Sequence, residues 1–302
     1  MSVNWTVKQH WFIFLAIRKQ LNSLTIKTDT NMKNYTTTLQ AFSIVMLSAV
    51  LLLSCGNKQA KQAEELQAES KEQAFQEVTS YPIPTSFEVI QMINKAGASF
   101  IIGICNPIDN VGKYMTEKTK AINLGIYGAD LAYSTTYQMK QETMNFLKVC
   151  RQLVEELNIN AGFTPELAIN VEKNIDNKDS LINIFTNSYY ETYRALVENQ
   201  KESLSLLVVA GSWIEGVYIT SQIALTSRDN SEFIKILANQ KAPLAKLMEL
   251  MTPRSDVPEV KELMDMLAPV QEIYKNVQGE NLTNDQFQSI MEEITKVRNA
   301  LV

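Results

Sequence analysis

The sequence predicts an all-α protein, an antiparallel multi-helix bundle of about seven to nine helices, with two similar helical halves as one arrangement open to it. Three observations lead there. Helix-start chemistry recurs along the last two thirds of the chain, at Thr85-Ser86-Phe87-Glu88, Thr164-Pro165-Glu166, Asp229-Asn230-Ser231-Glu232, Asp256-Val257-Pro258-Glu259 and Thr283-Asn284-Asp285-Gln286. Each places a small polar acceptor, or a proline at the first helical position, where orphan N–H groups need it. Residues Glu202 to Thr226 are apolar nearly all round, the pattern of a helix buried on every side. No stretch alternates apolar and polar residues between hairpin turn signals. Ser99 to Ile104 is extended enough for a strand, but nothing near it could pair with it.

Taken in order, a first helix follows the Thr85 capping box and closes at Gly97, the residue suited to a left-handed cap. Asn106-Pro107 marks a turn. A long helical stretch from about Lys113 to Asn158 is expected to break near Gly125 or Tyr137. Thr164-Pro165 opens the next helix, and the polar turn Asp176 to Asp179 opens another that ends near Asn199. The apolar helix comes next, then one that Pro243 kinks or splits before Thr252-Pro253. The helix opened by Pro258 ends near Gly279. Around the last capping box, Leu282 and Phe287 stand at the spacing of a hydrophobic staple.

The N-terminal part is different. Lys33 precedes an apolar run from Ala41 to Leu53, interrupted by Ser43 and Ser48, which ends in Leu52-Leu53-Ser54-Cys55-Gly56. A basic residue, a short apolar run and small residues before a cleavage point make a secretory signal. The run is short of the ~20 residues that a spanning helix needs. This stretch resembles the lipobox signal of bacterial lipoproteins, with Leu52, Ser54 and Cys55 on the pattern and Leu53 bulkier than usual at its position. The resemblance covers residues 32–58. It implies a start at Met32, removal of residues 1–54 (an upstream extension and the signal), and diacylation of the Cys55 thiol, which becomes the N-terminus. At ~0.8 kcal/mol per buried CH₂, several acyl chains hold a protein to a bilayer for good. Gly56 after the cysteine fits outer-membrane sorting, so the expected place is a periplasmic or surface-facing position in the cell envelope.

Residues 55–80, rich in Gln, Glu, Lys and Ala, cannot build a core and read as a tether. Tyr81-Pro82-Ile83-Pro84 ends it, and residues 81–302 form the helical domain.

Composition narrows the chemistry. The 302 residues carry 28 Lys and Arg against 33 Asp and Glu, a net charge of −5 that is wrong for phosphate backbones, so no nucleic-acid partner is expected. From residue 55 onward the counts are 23 against 32, and no histidine remains, because the sole one is His10. Histidine-dependent triads, His-ligated zinc and haem, and Glu-x-x-His di-iron sites are thereby excluded. Neither G-x-x-x-x-G-K-[ST] nor G-x-G-x-x-G is present. No cofactor and no metal is expected. Cys105 and Cys150 are left either to pair in an oxidising compartment or to serve as small hydrophobes.

Carboxylates and phenols remain. Two acids interrupt apolar, glycine-marked helices. Around Asp130, the residues Tyr127, Tyr133, Ser134 and Tyr137 fall within about 60° on the helical wheel. Around Glu215, which follows Trp213, the residues Ser212, Tyr218 and Gln222 do the same. Both segments read acid, then Tyr three on, then hydroxyls five and six on, at an offset of 85 residues. A faded duplication would produce this.

A buried carboxylate must be paired, protonated or wet. One reading leaves both acids satisfied by neighbouring side chains, with the glycines permitting close helix packing. In the other the two helices face each other and line a polar pocket for a small polar ligand, formed by Tyr127, Asp130, Tyr133, Tyr137, Trp213, Glu215 and Tyr218. A lipid-anchored envelope module without catalysis, binding such a ligand or an envelope protein, is the function expected. The alternative is a hydrolase or lyase that uses Asp130 and Glu215. Carboxylates more than ~12 Å apart with no shared cavity would rule out a joint site.

Overall fold

The computed structural model describes residues 86–302, which lie within one compact unit spanning Ser70–Val302. The lipobox, Cys55, the tether and Thr85 of the first capping box fall outside the described residues. Ten α-helices and no strand occur among those described. They are α1 (Ser86–Lys95), α2 (Glu117–Thr136), α3 (Lys140–Glu156), α4 (Pro165–Lys173), α5 (Lys178–Glu198), α6 (Glu202–Thr226), α7 (Ser231–Ala238), α8 (Lys241–Met251), α9 (Pro258–Lys275) and α10 (Asn284–Leu301). Between α1 and α2 runs a strap, residues 96–116, whose one regular piece is a 3-10 turn at Ile108–Lys113.

The all-α bundle is as expected, and the ten helices include two, α7 and α8, in the Ser231–Met251 segment that was expected to be kinked or split. The long stretch divides at Tyr137, not at Gly125. Gln138 takes φ 57° and lets Met139 N–H reach Ser134 O, the closure that ends a helix with a left-handed residue. Asn158 and Gln200 end α3 and α5 in the same way, with φ of 56° and 60°. Gly97, at φ 85°, closes α1 as expected. Pro243 lies in the first turn of α8, where no N–H is missed, and the break before it falls at Asn239–Gln240. The Thr283 capping box is complete: Thr283 Oγ1 accepts from Gln286 N–H and Gln286 Oε1 accepts from Thr283 N–H. Thr164 and Val257 precede their prolines with no side-chain cap.

Two helices make the centre. Every residue of α2 from Ala121 to Thr136 is buried, and α6 is buried from Ser205 to Ala224 except at Val209, Tyr218 and Gln222. By length and composition α6 could cross a membrane, yet 78% of its apolar window is covered by the rest of the fold. A helix so enclosed is the core of a bundle.

Glycine brings the pair together. A Cβ on Gly125 would stand 2.0 Å from Val208 O, and one on Gly211 would stand 2.0 Å from Ile122 O, so backbone meets backbone at this crossing. The helices run in the same sense. Lys201, at the start of α6, reaches Glu117 at the start of α2 (3.2 Å), and past the glycines Asp130 faces Glu215. This central pair is parallel, with the three helices α3, α4 and α5 intervening between them in the chain. Around it α3 and α5 pack on α2, while α7, α8 and α10 pack on α6.

Candidate functional site

Past the glycine crossing the axes are close enough for side chains of α2 and α6 to meet. Asp130 and Glu215 are both 0% exposed, and the two carboxyl groups lie within hydrogen-bonding reach of each other. Helix α10 supplies the cation. Arg298 Nε and Nη2 each donate to a Glu215 oxygen at 3.1 Å, a two-pronged pair, and Nη2 also reaches Ile104 O at 3.4 Å. The guanidinium lies 4.6 Å from the ring centroid of Tyr218, which covers its flat face.

The strap forms the roof and docks largely through its backbone. Ile101 N–H donates to Tyr133 Oη at 2.8 Å. Asn106 N–H donates to Asp130 Oδ2 at 3.1 Å. Tyr127 Oη donates to Pro107 O at 2.8 Å. The Phe100 ring stacks on Tyr133, centroids 4.8 Å apart, and tilts against Tyr137. Asn106 is itself fully buried, its Nδ2 bonded to Tyr114 Oη (2.9 Å) and Asn123 Oδ1 (3.3 Å). Asn123 in turn donates to Leu301 O at 2.9 Å, tying α2 to the end of α10.

Protonation follows from this arrangement. No protein N–H or O–H donates to Asp130 Oδ1. Two carboxyl groups in contact bond only if one of them carries the proton. Burial pushes the Asp130 carboxyl well above the ordinary carboxylate range, and the neighbouring Glu215 charge adds to the push. Burial raises Glu215 too, but Arg298 opposes it. Glu215 is therefore the ionised member and Asp130 the protonated one. For Arg298, burial acts to lower the pKa, and Glu215 overcomes it, so the guanidinium stays charged. The cluster thus holds one anion, one cation and one neutral acid, the arrangement a water-free interior tolerates. Burial also raises the thiols of Cys105 and Cys150, both free, and Asp130 contributes to each shift.

The two acids and Tyr127, Tyr133 and Tyr218 thus come to one place. Tyr137 joins only by its ring, at the end of α2. Trp213 is buried on α6 with no hydrogen-bond partner for its indole N–H and takes no part in the cluster's bonds. The polar pocket open to the sequence reading is filled by the strap. Sequence reasoning missed Arg298, Asn106 and Asn123. A signal for Arg298 exists, because it sits in register with Ile290, Ile294, Val297 and Leu301 on the apolar stripe of α10.

Fold and site together define a helical bundle organised around a roofed acid–arginine cluster. No family model matches the chain, and comparison with curated proteins and with solved structures finds no match.

Proposed function

We propose that this chain is a lipid-anchored cell-envelope protein, sorted to the outer membrane, whose helical domain serves as a non-catalytic structural or binding module. One observation carries the non-catalytic part: the acids available for chemistry are 0% exposed and bonded to each other, to Arg298 and to the strap. A general acid or base has to come within hydrogen-bond reach of a substrate proton, directly or through one water. Here those positions are filled by the protein's own groups. The anchor rests on the lipobox residues Leu52 to Cys55. From Cys55 to Ser86, 31 residues allow a reach of at most ~100 Å from the bilayer.

The test has two arms in the native host. Growth with a clickable fatty acid should label the protein, and Cys55→Ser should abolish the label and release the chain from the membrane fraction. A strain carrying Asp130→Asn should keep whatever phenotype the unaltered gene supports. Asparagine preserves the shape and hydrogen bonds of a protonated aspartate but cannot transfer a proton. Loss of that phenotype with the folded protein still present would favour the hydrolase or lyase reading.

A further inference from the structure

We propose that the strap, residues 96–116, is a latch held shut by the proton shared between Asp130 and Glu215, and that losing this proton opens the roof over the cluster while the helices stay packed.

The geometry separates a fixed floor from a releasable cover. The floor is locked by backbone contact at Gly125 and Gly211 and by the two-pronged Glu215–Arg298 pair. The cover lacks regular structure apart from its 3-10 turn. Its tip is exposed, with Ile102 at 88% exposure and Gly103 at φ 79°. Its grip on the floor is a set of six bonds: Ile101 to Tyr133, Ile104 to Arg298, the Cys105 thiol to Asp130, Asn106 N–H to Asp130, Asn106 Nδ2 to Asn123, and Pro107 to Tyr127. Three of these six end on Asp130 or Arg298.

The titratable groups facing Asp130 come from five elements. On α2 these are Tyr127 and Tyr133. The strap brings Cys105 and Tyr114, α6 brings Glu215 and Tyr218, α10 brings Arg298 and α3 brings Cys150. Arg298 is the one cation among them, and Glu215 already engages it at both oxygens. When Asp130 gives up its proton, a second anion appears in a dry site with no second cation. The strap's Asn106 N–H and Cys105 thiol favour that anion, but burial and the Glu215 charge outweigh these two neutral donors, so water is the remaining way to balance the charge. The helices cannot part without breaking the glycine crossing, so water enters by displacing the strap. Opening uncovers Arg298 and the phenols of Tyr127 and Tyr133. The closed form keeps the proton and the open form releases it near the ordinary aspartate pKa of ~3.9, so rising pH favours opening above that value.

Hydrogen–deuterium exchange of the purified protein, read on peptides covering residues 98–110 and corrected for the intrinsic pH dependence of exchange, tests this. In the unaltered protein the strap's opening constant should rise about tenfold per pH unit through the window where the closed form alone keeps the proton, with peptides from α6 unchanged. In Asp130→Asn, whose Nδ2 donates to Glu215 and whose Oδ1 accepts from Asn106, the strap should stay protected and the slope should vanish. A flat profile in the unaltered protein, or an equal slope in the variant, overturns the proposal. So does a variant that fails to fold, since asparagine supplies the same donor and acceptor. The infrared carbonyl stretch of a protonated, water-free aspartic acid, sought in the unaltered protein at pH 6 with labelled aspartate, gives a variant-free check, and its absence would equally overturn the latch.

Discussion

Arg298→Met removes the cluster's cation while keeping an apolar stem of similar length against α6. Glu215, 0% exposed, is then left without the two hydrogen bonds that hold its charge. Keeping that charge unpaired costs ~3–5 kcal/mol. Taking a proton instead costs about 3.7 kcal/mol at pH 7 for a glutamate with an ordinary pKa near 4.3, and only ~1 kcal/mol at pH 5. The two routes agree at neutral pH, so the variant should lose about 4 kcal/mol there. In the variant Glu215 holds a proton when folded and none when unfolded above its ordinary pKa. The unfolded chain therefore binds fewer protons, and the variant's stability falls as pH rises, by about 1.4 kcal/mol per unit. Urea unfolding followed by far-ultraviolet circular dichroism, at pH 5, 6 and 7 for both proteins, measures the difference at each pH. A loss below ~1 kcal/mol at pH 7, or an equal loss at pH 5 and pH 7, would refute the assignment of Glu215 as the ionised, Arg-dependent acid. The double change Arg298→Met with Glu215→Leu should recover much of the loss, because an apolar pair leaves no buried charge behind.

Two further outcomes follow from the helix crossing and from its tie to α10. Gly211→Ala drives a methyl to 2.0 Å from Ile122 O, which only a shift of the α2 or α6 backbone can relieve, and should cost ~1–3 kcal/mol in the same urea assay. Asn123→Ala leaves Leu301 O without that donor and removes one partner of Asn106, so it should cost ~1–3 kcal/mol. Exchange mass spectrometry should show the loss as faster exchange at residues 296–302, and an unchanged C-terminus would count against the tie.

Much of the centre was legible in the sequence. The extent of α6 can be read directly, because an apolar run with no polar face has only a buried place to go. Asp130 and Glu215 were visible for the complementary reason, as charges set in apolar surroundings beside glycines. The helix ends near Tyr137, Asn158 and Asn199 were legible as positions, but their closing conformation was not. At Gln138, Asn158 and Gln200 a left-handed residue closes the helix without glycine, a conformation amide side chains adopt at modest cost. Asn106 lies beyond any periodicity argument. Its roles depend on a strap that folds back over α2, and residues 96–116 carry no repeating pattern that would say so. Arg298 sits between these cases. Its place on an apolar stripe marks it as unusual, but naming its partner requires knowing that α10 packs on α6.

The parallel pairing of α2 with α6 also explains why the two acids differ in protonation. Glu117 and Lys201, the crossing at Gly125 and Gly211, and Asp130 and Glu215 stand in matched positions along the two helices, in keeping with the near-85-residue offset in the sequence. Helix α10 packs mainly on α6 and supplies Arg298 to Glu215, whereas α5 packs on both α2 and α6 and brings no cation to Asp130. Two acids therefore share one cation, supplied from one side only. Charge balance in a dry interior leaves one route: the acid beside Arg298 ionises and the other keeps its hydrogen. The asymmetry lies in helices remote in sequence from both acids, so the two similar segments around Asp130 and Glu215 cannot reveal it on their own.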